Sequence, residues 1–563
     1  MPSSRAMLWP AQRSSLAVRH VHESSPLGHA ARDSQAEALS ACPWEVLVIG
    51  TGMGGAMLGR RLAEAGHRVL MLEKGHANFE RASGALPYDD LDPERRLENG
   101  LWPRVLTGTV DGRSVELNAT VGCGAGGSTL LYAAALERLE RRDLESSDSG
   151  PRWPIDYEEL APYYEEAERL FGVRGTRDPL CSEPFASPSA PASLSECDQS
   201  FQKVLERNGR SPYQLHVAFG DRPGCEQCAG RICLEQCKRD ARTVGVWPAL
   251  RHSNARLLDR CEVLRLESDG DRIKEVVALR EGRELRLRAR FVVMAAGAYH
   301  SPVLLLRSKG PGGPGTLANR SDQVGRNLMF HVSDFIAVWP KRRGATAEAQ
   351  KSLAFRDHYQ HEGRPLGAVQ STGMSADYGN VLFHLRKQFD ESPLRSLRPL
   401  RAALRVPAKI ATRVFGKATI FATIQADLPY GENRVLLDPD AAGGMRFEYT
   451  VRPELRRRVE LFRRLVKQAF APLWSFFLGG NVNLNHGHPC GTLRFGTDPR
   501  TSVLDRNCRA HDVENLYVVD GSFMPSSGGT NPSLTIAANS LRVAERIDAR
   551  LRSELPSRVR TAR

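Results

Sequence analysis

Residues 45–75 read EVLVIGTGMGGAMLGRRLAEAGHRVLMLEKG, and the reading of this stretch decides the fold. Residues 46–49 are an unbroken apolar run, short enough for a buried parallel strand. Gly50, Gly52 and Gly55 follow as G-x-G-x-x-G. Leu58, Leu62 and Ala65 then recur at helical spacing, Gly66 ends that helix, and residues 69–72 form a second buried strand. Glu73 stands at its end, about twenty residues after the glycines, where the dinucleotide fingerprint asks for an acid. Gly50 permits the tight turn, Gly52 lets backbone approach a pyrophosphate, and Gly55 lets helix and strand pack closely. The helix N-terminus offers unpaired N–H groups and partial positive charge to phosphates. Glu73 supplies acceptors for ribose hydroxyls.

The rest of the chain frames this unit. With 563 residues, two or more domains are expected. The net charge of +13 is spread along the sequence, which points to a solvated basic surface. No apolar run is long enough to cross a membrane. Residues 1–43 lack the continuous apolar core of a secretory signal and are expected to be a disordered extension. Eleven cysteines in a chain this long do not suggest a disulfide framework, so a reduced, cytoplasmic protein is the expectation.

A second glycine cluster, VGCGAGGSTLLYAAALERL, occupies residues 121–139; glycines this dense let backbone pass close to a flat or charged ligand. Residues 156–171 read as a helix with Asp156 as N-cap and Glu159 closing a capping box. Residues 181–195 read as a loop. Cys225, Cys228, Cys233 and Cys237 give C-x2-C-x4-C-x3-C, a spacing open to a zinc or iron–sulfur site or to structural thiols; no metal ligand is assigned. Residues 291–297 read as a further buried strand. Between residues 331 and 480, alternating runs at 381–385, 418–424 and 434–437 suggest an antiparallel sheet. Within it, Arg398, Arg401, Arg405, Lys409, Arg413 and Lys417 interleave with Leu397, Leu400, Leu404, Ile410 and Val414. That basic amphipathic pattern suits a solvated helix face, with a membrane or an anionic substrate as alternatives. Residues 516–519 return to the strand pattern, and Leu534, Ala538, Leu541, Ala544 and Leu551 mark a long amphipathic helix.

Five segments together resemble the glucose–methanol–choline (GMC) oxidoreductases, flavoproteins that oxidise alcohols. They are the Gly50 fingerprint, the cluster at 122–132, GAYHSPVLLL (297–306), HPCGTLRFG (488–496) and NLYVVDGSFMPSSGGTNPSLTIAANSLR (515–542). VGRNLMFH (324–331) is similar to the family's crossover segment. The resemblance implies a discontinuous Rossmann-like FAD-binding domain, α/β, with an inserted α+β substrate domain built on an antiparallel sheet. The expected division is FAD-binding parts at 44–150, 225–330 and 481–553, substrate-side helices and loop at 151–224, the substrate-binding domain at 331–480, and a basic tail at 554–563.

The same resemblance implies non-covalent FAD, since nothing in the sequence matches a flavin-anchoring histidine. Gly50, Gly52 and Gly55 would hold the pyrophosphate and Glu73 the adenosine ribose, with the Val263 backbone at adenine. Gly126, Gly127 and Ser128 would line the flavin; Asp520 and Gly521 would approach the ribityl chain, with Asn531 and Pro532 near the ring. The catalytic pair maps to His488 and Asn531. His488 is suited to take the hydroxyl proton near neutral pH, and Asn531 to fix the hydroxyl so that the carbon faces flavin N5. The flavin carries the redox chemistry. His486 is expected to be a loop histidine. Ala125, Tyr132 and Lys309 depart from the family's usual residues, and Tyr132 is similar to members acting on sugars, aminosugars and long-chain alcohols. Some relatives carry an iron–sulfur cluster on cysteines placed like Cys228, Cys233 and Cys237, and others are lyases that use FAD only structurally. These are the alternatives to an oxidase or dehydrogenase of a sugar, aminosugar, sterol or aliphatic alcohol, reoxidised by oxygen or another acceptor.

Overall fold

A computed structural model describes residues 39–554, apart from 80–81, 83–91, 119, 148–149, 184, 186–187, 221–224, 226, 311–312, 315–316, 342–349, 375 and 391. Most of the extension expected at residues 1–43, and nearly all of the basic tail, lie outside the described residues.

The apolar runs of the opening stretch form strands Trp44–Ile49 and Val69–Leu72, paired in parallel with Val46 opposite Val69 and Val48 opposite Met71. The sheet has five parallel strands in the order Leu516–Val518, Ala289–Met294, Trp44–Ile49, Val69–Leu72, Ala255–Leu258. Strands buried on both faces need apolar residues at every position, and residues 46–49 and 291–294 supply them. Helix Met53–Glu64 covers one face and packs against helix Ser533–Ser553. Two segments nearly 500 residues apart in sequence therefore close one nucleotide-binding layer.

Strands Cys261–Asp269, Arg272–Arg280 and Arg283–Leu287 form an antiparallel meander beside it. The largest sheet has eight strands. Its path runs Ser475–Phe477, Phe335–Val338, Thr419–Gln425, Gly367–Ser371, Leu353–Phe355, Tyr213–Gln214, with Met329–Val332 and Leu484–Cys490 attached. Helices Glu196–Arg207 and Pro453–Phe470 pack on one face of this sheet through Phe201, Phe421, Phe462 and Phe470. Helix Tyr157–Phe171 starts where Asp156 accepts the Glu159 N–H at 2.8 Å, and ends at Gly172 in a left-handed conformation, φ 55°.

Two sequence expectations are corrected. Residues 381–385 are not a strand; they lie in helix Tyr378–Asp390. Val381, Leu382 and Leu385 fall at a spacing that both periods accommodate, and Leu382 and Phe389, seven residues or two helical turns apart, are the buried pair. Strand Arg434–Leu437 exists, but it belongs to a separate four-stranded sheet with Met445–Tyr449, Leu106–Val110 and Arg113–Leu117.

Candidate active site

The first glycine loop leaves strand Trp44–Ile49 and enters helix Met53–Glu64. A Cβ on Gly55 would lie 2.1 Å from the Gly50 carbonyl oxygen, and one on Gly50 would lie 2.5 Å from the Ala295 carbonyl oxygen. Gly52 differs: its Cβ would meet only Gly127 Cα, at 3.8 Å, and would otherwise project into open space. That space is part of a cavity of about 390 Å³. Gly54, which the motif leaves unspecified, is as constrained as Gly55, because a Cβ there would reach 2.0 Å from the Val519 carbonyl oxygen. It is where the first helix meets the last crossover, and no local signal announced it.

Glu73 lines the same cavity, yet both carboxylate oxygens already hold backbone. Oε2 accepts from the Thr51 N–H (3.1 Å) and hydroxyl (2.6 Å), and Oε1 accepts from the Gly75 N–H (2.9 Å). The acid thus braces the glycine loop as well as facing the cavity. The second cluster comes against the first: the Gly126 N–H donates to the Thr51 carbonyl at 3.1 Å, and Gly126 and Gly127 take φ of 108° and 55°.

Gly50, Gly52, Glu73, Gly127, Ser128, Val263, His488, Asp520, Gly521 and Pro532 all line this one cavity. Gly55 and Gly126 stand behind the wall and shape it. Asp520 is buried and fully engaged: it accepts from the Gly297 N–H (2.9 Å), the Ser301 hydroxyl (2.5 Å) and the Ser522 N–H (2.9 Å) and hydroxyl (2.5 Å). Burial raises its pKa. It staples the turn after the last sheet strand to the start of helix Gly297–Arg307.

A cavity lined from Glu73 to His488, with an open glycine at Gly52, fits a dinucleotide such as FAD. Half-buried His300, whose ring lies tilted against Trp102 at 3.8 Å between centroids, has a buried Nε2 without a partner beside the same cavity. Trp102 in turn receives the Lys74 ammonium at 4.0 Å from its ring. His300 and Lys74 lie within quoted segments but were given no role in the sequence, and Trp102 sits in no motif.

His488 lies on strand Leu484–Cys490, as does His486, which is therefore a strand and not a loop residue. The Tyr299 hydroxyl and His486 Nδ1 are 2.9 Å apart. The His488 ring meets His331 edge to face at 5.2 Å, and the His331 Nε2–H donates to the Gly528 carbonyl at 3.1 Å, three residues before Asn531. Burial, with the charges of His331 and Lys351, drives the His488 pKa well below 6.5, so the imidazole is neutral and able to accept a proton. Asn531 is buried, and its Oδ1 accepts from Gln370 Nε2 at 3.0 Å. His331 Nδ1, Gln370 Oε1 and Thr530 Oγ remain without partners. Buried polar atoms left open at about 1–3 kcal/mol each gather here at contacts of His488 and Asn531, which is what a polar substrate would satisfy. Lys351, also buried, adds a cation whose pKa falls to about 8 through burial.

The four clustered cysteines do converge. Cys225 and Cys237 Sγ are 3.1 Å apart, and Cys233 and Cys237 are 3.4 Å apart. The Cys228 contact lowers the Cys233 pKa to about 5, while burial raises that of Cys237 to about 12. Among the described residues no group of three or more His, Cys, Asp or Glu is placed to hold a metal ion. Lys238 pins this loop down: its buried ammonium donates to the carbonyls of Leu130 (2.9 Å), Tyr132 (3.1 Å), Cys228 (2.8 Å) and Arg231 (2.7 Å). Leu131 and Tyr132 belong to the cavity wall.

Family models for GMC oxidoreductase match residues 103–333 and 429–540, and one for an FAD binding domain matches residues 45–88. Paromamine 6'-oxidase of Streptomyces fradiae is 32% identical, over 94% of this chain and 96% of its own length. The 6'''-hydroxyparomomycin C oxidase of Streptomyces lividus is 30% identical, over 95% and 97%. Among solved structures, pyridoxine 4-oxidase from Mesorbium loti superposes with a TM-score of 0.60 at 19% identity, over 91% of this chain and 100% of that one, a likeness of fold.

Proposed function

We propose, for a chain that belongs to the GMC oxidoreductases and oxidises an alcohol with FAD, that His488 is the proton acceptor, Asn531 the hydrogen-bond donor to the substrate oxygen, and an aminosugar hydroxyl the substrate. FAD, when bound, supplies the ring that accepts the hydride. The carrying observation is the neutral, cavity-facing imidazole of His488. A neutral imidazole accepts the hydroxyl proton; a protonated one cannot. With Asn531 Oδ1 occupied by Gln370, its Nδ2–H groups are left to donate to the alkoxide-like oxygen and to orient the carbon.

Gly50, Gly52 and Gly55 are assigned to the pyrophosphate, Glu73 to the adenosine ribose through its remaining lone pairs, and the Val263 backbone to adenine. Gly126, Gly127, Ser128, Gly521 and Pro532 are assigned to the flavin side, with Asp520 holding that wall in place. Binding is non-covalent in this reading. The aminosugar assignment is supported by the two oxidases named above, both matched along nearly their whole length. Oxygen or another acceptor completes turnover, and a cytoplasmic location is part of the same proposal.

The deciding experiment is anaerobic mixing of the FAD-loaded protein with paromamine, glucosamine, glucose and a sterol. Bleaching of the flavin by paromamine well ahead of the others is expected, and His488→Ala should retain flavin but lose at least about a hundredfold in reduction rate. Equal or faster bleaching by the sterol would overturn the substrate class, and a wild-type rate in His488→Ala would overturn the base.

A further inference from the structure

The basic amphipathic stretch is used by nothing in the reaction. Residues 394–417 carry seven Lys or Arg and no Asp or Glu. They fold as the short turn Pro393–Ser396 and helices Arg398–Ala403 and Arg405–Phe415. On the last helix Val406, Ile410 and Val414 recur every four residues and form one stripe, and Arg405, Lys409 and Arg413 form the stripe beside it. Val406 and Ile410 are 65% and 62% exposed, with Leu394, Leu397 and Leu400 exposed on the preceding turns. Arg401 is taken up by Asp390 at 2.9 Å; Arg405, Lys409, Arg413 and Lys417 are exposed and make no ion pair among the described residues.

Aromatic residues extend the same surface. Trp474 is 61% exposed and stacks on Trp339 at 3.9 Å; Trp339 contacts Phe415 at 5.5 Å, and Phe415 contacts half-exposed Phe476 at 6.2 Å. An ordinary solvated helix face does not present aliphatic and indole side chains in a continuous strip. An apolar stripe flanked by unpaired cations, with tryptophan at its margin, is the chemistry of a helix lying in the plane of an anionic bilayer surface.

The placement gives that surface a direction. Gln370 is opposite Ala422, Ala422 is opposite Phe335, and Ala337 is opposite Ile420. Residues paired across a sheet share a face, so Gln370, Phe335, Ala337 and Ile420 project to one side. Phe335, Ala337 and Ile420 pack there with Trp339, Val381 and Phe415. The helical arm therefore sits on the face of the sheet that carries Gln370 to Asn531.

We infer that helices Arg398–Ala403 and Arg405–Phe415, with Trp474 and Phe476, form an interfacial anchor for an anionic phospholipid surface. The anchor rests the substrate-side face of the protein on the bilayer and does not depend on the aminosugar assignment.

The test is co-sedimentation of the FAD-loaded full chain with vesicles of phosphatidylcholine alone and vesicles enriched in phosphatidylglycerol. Binding to the second, weakening with salt, is expected. Val406→Ser/Ile410→Ser and Arg405→Gln/Lys409→Gln/Arg413→Gln should each weaken it at least about tenfold, from lost apolar insertion and lost cations respectively. A second readout needs no variant: brominated phosphatidylglycerol should quench the tryptophan emission of the wild-type protein on binding, and Trp474→Phe should remove most of that quenching. No binding to phosphatidylglycerol vesicles would overturn the proposal, as would binding that Val406→Ser/Ile410→Ser leaves unchanged with no quenching. A concentration-dependent dimer abolished by Val406→Ser/Ile410→Ser, without vesicle binding, would also overturn it and give the patch to a second copy of the chain.

Discussion

Gln370 Nε2 donates to Asn531 Oδ1 at 3.0 Å; in the proposed reaction this hydrogen bond leaves the amide N–H groups of Asn531 for the substrate oxygen. Without it the amide is free to turn, and a turned amide offers an acceptor where the reaction needs a donor. Gln370→Leu is therefore expected to keep its flavin but to slow flavin reduction about tenfold or more, the scale of a lost hydrogen bond of about 1.4 kcal/mol or above. Stopped-flow reduction at saturating substrate measures it.

His488 is held neutral, so flavin reduction should be flat from about pH 6.5 upward and fall only where the imidazole begins to protonate, on the acid side of that value. Lys351 helps to set this limit. Its charge disfavours the His488 imidazolium. Lys351→Met keeps the stem, removes the charge, and should raise the His488 pKa, moving the acid limb to higher pH. A pH profile of the reduction rate in both proteins reads the shift; an acid limb that stays in place would separate Lys351 from His488.

Gly52 and Gly55 should fail differently when replaced by alanine. Gly52→Ala leaves the polypeptide room, since its nearest neighbour would be 3.8 Å away, and φ at this residue is an ordinary −66°. The added methyl occupies the proposed cofactor space, so a folded protein with little FAD is expected. Gly55→Ala forces a contact of 2.1 Å with backbone, so loss of soluble protein is expected. Flavin content per folded chain, with circular dichroism, distinguishes the two.

Lys238 is a structural donor to four buried carbonyls. Lys238→Met leaves them without a partner and should cost about 3 kcal/mol or more, seen as a lower denaturant midpoint. Because the pinned loop backs Leu131 and Tyr132 of the cavity wall, weaker FAD retention should accompany it.

The nucleotide-binding half was legible because its signals are local. Strand, glycine triplet, helix and acid occupy residues 45–75, and the buried-strand runs at 291–294 and 516–518 need no partner to be recognised. The catalytic candidates were legible through the motifs that hold them. Gln370 and Lys351 were not, and His331 stood in the sequence only as the last residue of the segment 324–331, with no role attached. Gln370 reaches Asn531 across 161 residues, and its relevance exists only once strands Gly367–Ser371 and Thr419–Gln425 have paired. The misread run at 381–385 failed for a related reason: five apolar-rich residues fit period 2 and period 3.6 equally, and the burial of Leu382 and Phe389 two turns apart exists only in the folded chain.

The sheet order has a consequence for biosynthesis. Among the described residues, Leu516–Val518 ends the parallel sheet, paired with Ala289–Met294 on one side and bridged through Tyr517 to Arg509 on the other, and helix Ser533–Ser553 covers helix Met53–Glu64. As the chain emerges from the ribosome, its βαβ unit at residues 44–72 must wait for more than 400 further residues before helix Ser533–Ser553 arrives. Contacts so distant in sequence form slowly, and the incomplete layer exposes apolar surface meanwhile. FAD is therefore expected to load only after that helix has docked, and yields in a heterologous host should respond to chaperones and growth temperature more than to riboflavin supply.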